Sequence, residues 1–237
     1  MSQKQTSDRG YSFKKLNHNP TANTTTLADA VSGAIGSSYK TRSFEDAWVL
    51  FIANVAKEVT GAKPDAMNSS VINSKWYQES KNILVTIIEE NQYVDILGQF
   101  EHEFIMNDLA MYDKYYLRCI ENVETIAKQY ITEGIKIYGQ FNFGNTNAGT
   151  GISVLKLAEK FVEYGIDIQK LYAECYEIDP HVYNLCLIQL HFAKIRFSIH
   201  LDNGYDYFEP NCFSKPEPKK YKHIFGNQLT NEFMGFC

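Results

Sequence analysis

Apolar residues recur at helical spacing through the first half of the chain, then give way to short apolar runs separated by helical stretches. Phe44, Trp48, Phe51, Ile52, Val55 and Val59 share one helix face. Ser43 is placed to cap that helix, Glu45 and Asp46 lie in its first turn where the dipole favours acids, and Gly61 ends the pattern. A second helix is predicted over Ser74–Asn91, carrying Trp76, Tyr77, Ile83, Leu84, Ile87 and Ile88. A third is predicted over Tyr93–Met106. A fourth runs over Lys114–Thr132, with Tyr116, Ile120, Val123, Ile126, Ala127 and Tyr130 turned inward.

The texture changes after Gly134. Lys136–Phe143 reads as a buried strand, Asn145-Thr146-Asn147-Ala148-Gly149-Thr150-Gly151 as a small-residue turn, and Ile152–Glu163 as an amphipathic helix. Val154, Leu155, Leu157, Ala158 and Val162 form the apolar side of that helix. Leu171–Ile178 reads as a second strand, His181–Lys194 as a helix with Pro180 in its first turn, and Ile195–Leu201 as a third strand. Val182, Leu185, Ile188, Gln189 and Phe192 lie along the face of the last helix. Strands alternating with helices indicate an α/β sheet. The expected division is a flexible polar arm over residues 1–40, a helical region over 41–133, and an α/β domain over 134–237. Within that last part, Asp202-Asn203-Gly204 is a turn, Cys212–Lys222 a loop with a lysine cluster, and Ile224–Cys237 a docking tail.

Composition narrows the reading only a little. The 237 residues suffice for one large domain with a substantial core, and the net charge of −5 argues against a broadly basic surface. The lysines and arginines of the arm and of the late loop are solvated, or touch nucleic acid locally. No apolar run reaches membrane-spanning length and the polar N-terminus has no signal-peptide core, so no membrane association and a cytoplasmic location are expected. Five cysteines without a CxxC pair fit free thiols in a reducing compartment, with Cys175 and Cys186 read as buried small apolar residues. His181, His191 and His200 lack metal-ligand spacing, and no GxSxG, Walker A or HExxH pattern occurs.

The chemistry lies in the stretch from Asn142 to Asp179. Small residues between a strand and a helix let a ligand approach the backbone, and a helix N-terminus attracts anionic groups. An acid at the end of the next strand can accept ribose hydroxyls. Glu177 and Asp179 stand about 26 to 28 residues beyond Gly151, against the usual offset of about 20. The alternative is an ordinary packing turn, with Asp179 as a helix cap.

The turn Asn145–Gly151 resembles the Asp-Pro-Ala-Cys-Gly-Ser-Gly turn of S-adenosylmethionine-dependent DNA adenine N6 methyltransferases, and Tyr176-Glu177-Ile178-Asp179-Pro180 resembles their second motif. The helix from Val182 and the run Ile199–Gly204 are similar to the phage and mobile-element branch of that family, as is Asp95-Ile96-Leu97-Gly98-Gln99-Phe100 upstream. The resemblance spans roughly residues 43 to 208. It implies a Rossmann-like class I methyltransferase sheet with an N-terminal helical region, and S-adenosylmethionine as cofactor. Under it, Gly149 and Gly151 would meet the methionine end, Glu177 the ribose, Ile178 the adenine ring and Asp202 its amino group, with Asn145 and Ala148 also among the cofactor-binding residues. The acceptor would be an exocyclic amine of a nucleic-acid base, with DNA or a partner subunit as binding partner.

Three departures stand beside it. Asn145 replaces the acid that would face the methionine ammonium, no Phe-Thr-Pro follows Gly98, and no Asn-Pro-Pro-Tyr or Asp-Pro-Pro-Tyr occurs. Glu209-Pro210-Asn211-Cys212-Phe213 reads as a loop. An enzyme acting on an extruded base needs the missing pocket. The family alternatives are therefore a catalytically inactive binding module and a methyltransferase with another acceptor.

Overall fold

The computed structural model describes residues 22–33, 43–61 and 70–202. Among the described residues the chain is mixed α/β and mostly helical, with a small three-stranded parallel sheet. The loop expected at Cys212–Lys222, the tail from Ile224, the turn at Asn203–Gly204 and most of the arm lie outside the described residues.

Part of the arm forms a helix. α1 (Ala22–Ser32) buries Leu27, Ala28 and Val31, whose spacing is that of one helix face. The threonine-rich start of this stretch conceals the pattern in the sequence, yet Thr24 is itself buried with its hydroxyl on Glu103 Oε2 at 3.3 Å. α2 (Phe44–Val59) begins as expected, with Ser43 Oγ accepting from the Asp46 N–H at 3.1 Å. α3 (Lys75–Glu90) packs on α1 and ties back to α2 through Glu58, which takes the Tyr77 hydroxyl at 2.6 Å and Lys81 Nζ at 2.7 Å.

The third helix is shorter and less regular than expected. α4 (Ile96–Phe100) starts at the Asp95 cap and runs into a π-helical turn, Glu101–Ile105. α5 (Leu109–Ile126) starts earlier than its apolar pattern suggests, because Asp108 caps it through the Met111 N–H. A second π turn, Ala127–Ile131, leads into α6 (Thr132–Tyr138). The buried line of this long helix is Tyr112, Cys119, Val123, Ala127 and Ile131. Tyr130 is exposed, contrary to the expected inward face, since the wider π turn rotates the later residues. The same helix overturns half of the first expected strand. Residues to Tyr138 are helical, Gly139 ends them in a left-handed conformation (φ 74°), and β1 is Phe141–Asn145.

α7 (Ile152–Glu163) follows the turn, then a 3₁₀ turn (Ile168–Lys170), β2 (Leu171–Glu177), α8 (Pro180–Phe192) and β3 (Arg196–Leu201). On α7 Val154, Leu155, Leu157 and Ala158 are buried as expected, but near its end Phe161 is the buried residue and Val162, expected inside, is exposed. The strand order is β1-β2-β3, all parallel. Right-handed crossovers in that order place both connecting helices on one face. The register confirms this placement. Phe141, Phe143, Leu171, Ala173, Cys175, Phe197 and Ile199 share a face; Phe141 meets Phe161 of α7, and Cys175 meets Cys186 of α8. The helical region then packs on those helices, α2 against α8 and α5 against α7. One continuous core results, from Leu27 to Ile199.

Candidate functional site

The three strands end together. Asn145 closes β1, Glu177 closes β2, and Asp202 follows β3. The loops are pinned to the end of β2 by main-chain bonds. The Tyr176 carbonyl accepts from the Ala148 N–H at 2.9 Å, and the Glu177 carbonyl accepts from the Asp202 N–H at 3.0 Å. The turn, the acid of the second strand and Asp202 therefore converge at one sheet end, where parallel α/β sheets form ligand crevices.

The Glu177 side chain is 6% exposed and faces the turn. Its Oε2 accepts from the Gly149 N–H at 2.9 Å, and its Oε1 accepts from the Ile178 and Asp179 N–H groups at 2.9 and 3.1 Å. Three of the roughly four acceptor positions of a carboxylate are thus used, leaving one on Oε2. Ile178 is 70% exposed beside it, an apolar surface at the end of the sheet. Ala148 is buried under the turn, and Asn145 Oδ1 accepts from the Asn147 N–H at 3.3 Å. Asp179 caps α8 through the His181 and Val182 N–H groups at 2.8 and 3.1 Å. Of the two acids read from the sequence, Asp179 is a cap and Glu177 belongs to the turn.

Two glycines are required by geometry. Gly149 (φ 54°) and Gly151 (φ 94°) are left-handed. A Cβ on Gly151 would come within 3.2 Å of Cys186 Sγ and 3.3 Å of Leu190 Cδ2; one on Gly149 would come within 3.3 Å of the Tyr115 hydroxyl oxygen. Gly151 also caps α7 without a side-chain bond. The first N–H groups of that helix thus have no side-chain cap from Gly151.

Beneath the turn lies a polar hub whose members the sequence reading named separately but did not join. Asp95 is 1% exposed. Its carboxylate accepts from Thr150 Oγ1 at 2.9 and 3.0 Å, Gln189 Nε2 at 2.8 Å, the Gly98 N–H at 3.0 Å and the Tyr112 hydroxyl at 3.3 Å. Gln189 also donates to the Thr150 carbonyl at 2.6 Å and accepts the Leu97 N–H at 2.8 Å. Burial raises the Asp95 carboxyl above the ordinary range, while the bonds from Gln189, Thr150, Gly98 and Tyr112 pull it down. Gly98 cannot be larger, because its Cβ would lie 2.1 Å from Asp95 Oδ2. The segment Asp95–Phe100 therefore holds the turn directly. A lone acid ahead of an apolar run was the available signal; its partner Gln189 passed as one more residue on a helix face.

Two further side chains frame the crevice. Tyr115 of α5 sets its hydroxyl over Gly149, and burial pushes that phenol well above its usual value. Glu101, in the first π turn, accepts from Trp48 Nε1 and lies 2.6 Å from His181 Nε2, joining α2 to the start of α8. Trp48 stacks on Phe100 at 4.1 Å. Cys186 is held in its thiol form by its hydrogen bond to Cys175 and by burial, so these two cysteines serve packing beneath the turn. Among the described residues, no group of three or more His, Cys, Asp or Glu could hold a metal, and no helix is long and apolar enough to cross a membrane. No protein-family model, curated protein or solved structure matches the chain.

The arrangement offers one remaining carboxylate acceptor position on Glu177 beside an exposed apolar residue, Ile178.

Proposed function

We propose that the crevice at the end of the sheet binds S-adenosylmethionine, in a chain related to the DNA adenine N6 methyltransferases and built on the first strands of a Rossmann-like sheet. The observation that carries this reading is the buried Glu177 carboxylate bonded to the Gly149 N–H beside exposed Ile178. It joins the two motifs that the resemblance rests on. Asp202, bonded through its N–H to the same strand end, would reach the amino group of the adenine. Calorimetry with the cofactor and with its demethylated product should give micromolar binding that Glu177→Ala removes. Absence of heat with both ligands refutes the proposal.

A second reading is favoured by Asn145. Its side-chain oxygen is engaged by the Asn147 N–H, and no acid occupies that position to meet an ammonium. On that reading the chain keeps the cradle without the reaction and works as a binding module for DNA or a partner subunit. Labelled methyl transfer to an exocyclic amine of adenine-containing DNA, abolished by Glu177→Ala, would eliminate it. Transfer to RNA or protein instead would identify a different acceptor.

A further inference from the structure

Between α5 and α7, which pack against each other, lies a cavity of about 380 Å³ lined by residues that the crevice does not use. Its apolar walls are Val94, Ile120 and Val123, with Tyr116 beside them. Its polar groups come from α7: Lys156, Glu159 and Lys160. Lys156 is the unusual member. Lysine is almost never fully buried unless paired, yet this one is 7% exposed on the wall of a largely apolar cavity. Its Nζ lies 3.0 Å from Glu159 Oε2 and 5.4 Å from the centroid of the Tyr116 ring. Burial pulls its pKa down, but Tyr116 and Glu159 outweigh burial and hold it above the ordinary value, so the cavity contains a permanent ammonium.

Lys160 stands one turn further along the same helix face and pairs with Glu163 at 2.7 Å. Glu163, and Glu124 whose charge also acts on Lys160, are not lining residues, so the lining carries two positive charges against one negative. Each lysine is tied to an acid three residues later. An acid following its lysine is the weaker order for a helical pair. Glu159 and Glu163 are also 41% and 48% exposed, so these pairs contribute little and a competing anion displaces them at small cost.

We propose that this cavity binds a small aliphatic carboxylate, with its charged end between Lys156 and Lys160 and its chain on Val94, Ile120 and Val123. The volume lies at the small end of ligand sites, about 300–1,000 Å³, and the lining selects the class. An aliphatic amine would set a third cation beside two. A neutral chain would give no acceptor to the Lys156 donors that Glu159 and Tyr116 leave. A bound acid would bridge α5, α7 and Val94, the residue before the Asp95 hub, and Tyr116 neighbours the Tyr115 whose hydroxyl stands over Gly149. Occupancy would therefore steady the glycine turn without touching it.

Calorimetric titration of the full chain with sodium hexanoate should give one site with a Kd below about 1 mM. Nuclear Overhauser contacts should join the hexanoate chain to the methyl groups of Val94, Ile120 and Val123. Lys160→Gln should weaken binding by about tenfold or more, the loss of a charge-assisted bond. Val94→Trp, which fills the cavity from an exposed position, should abolish binding, and so should Lys156→Met. Circular dichroism checks that Lys156→Met is folded; if it is not, the other two variants decide. Hexylamine and hexanol control for charge and for chain. No saturable heat at several millimolar hexanoate, equal binding of either control, contacts to other methyl groups, or unchanged binding by Lys160→Gln and Val94→Trp would each overturn the proposal. The titrations contain no S-adenosylmethionine, so their outcome is independent of cofactor binding.

Discussion

Asp95→Ala is the most informative single change outside the crevice itself. It removes the N-cap bond to Gly98 and leaves the Thr150 hydroxyl without either carboxylate oxygen. Gln189 keeps the Thr150 carbonyl, and Tyr112 keeps the Asp95 carbonyl at 3.2 Å, so those two groups are weakened rather than orphaned. A lost cap costs about 1 kcal/mol, and an orphaned buried hydroxyl about 1 to 3 kcal/mol. Adding the weakened bonds, and subtracting the relief of a buried charge, the loss is about 3 kcal/mol. For a chain of this length that lowers Tm by roughly 6–12 °C.

Circular dichroism melts of wild type, Asp95→Ala and Asp95→Asn check it, with the amide variant falling between the others. The pH dependence supplies a second readout. An acid raised by burial contributes its full stability below the ordinary carboxylate value and loses it as pH rises through the folded value. Stability of wild type should therefore fall more than that of Asp95→Asn as pH is raised from about 4 upward. A loss under about 1 kcal/mol for Asp95→Ala, with parallel pH profiles, would show that the hub does not hold the turn.

Other substitutions separate the parts of the site. Gly151→Ala should cost about 2–3 kcal/mol in urea titration, from left-handed strain and the contact with Cys186, whereas Gly165→Ala, with open space around it, should cost only about 1 kcal/mol. Tyr115→Phe removes the hydroxyl above Gly149 together with its hydrogen bond to Cys119; it should weaken S-adenosylmethionine binding about three- to tenfold, the worth of one hydrogen bond, at a stability cost of no more than about 1 kcal/mol. An unchanged affinity would place Tyr115 outside the ligand site. Trp48→Phe keeps the stack on Phe100 but takes one donor from Glu101, and a loss of about 1–3 kcal/mol is expected in fluorescence-monitored unfolding with Trp76 as reporter.

Local chemistry made much of this chain legible. The Ser43 cap, the helix over Lys75–Glu90, the turn from Asn145 to Gly151, the strand ending at Glu177 and the cap at Asp179 all depend on neighbours within a few residues, and all are found where the pattern puts them. Features set by distant partners were not legible. Continuation of a helix through π turns to Tyr138 depends on how α5 and α6 pack, and it displaced the expected start of β1. Asp95 and Gln189, separated by more than ninety positions, become one hub only when α4 and α8 meet under the turn. The order of the strands decided which face received the helices and left Tyr176 and His200 on the other. Sequence alone determined the turn and its acid, because backbone conformation and capping are local. Tertiary packing decided what holds them together, because a buried carboxylate is stable only where separate segments bring its donors.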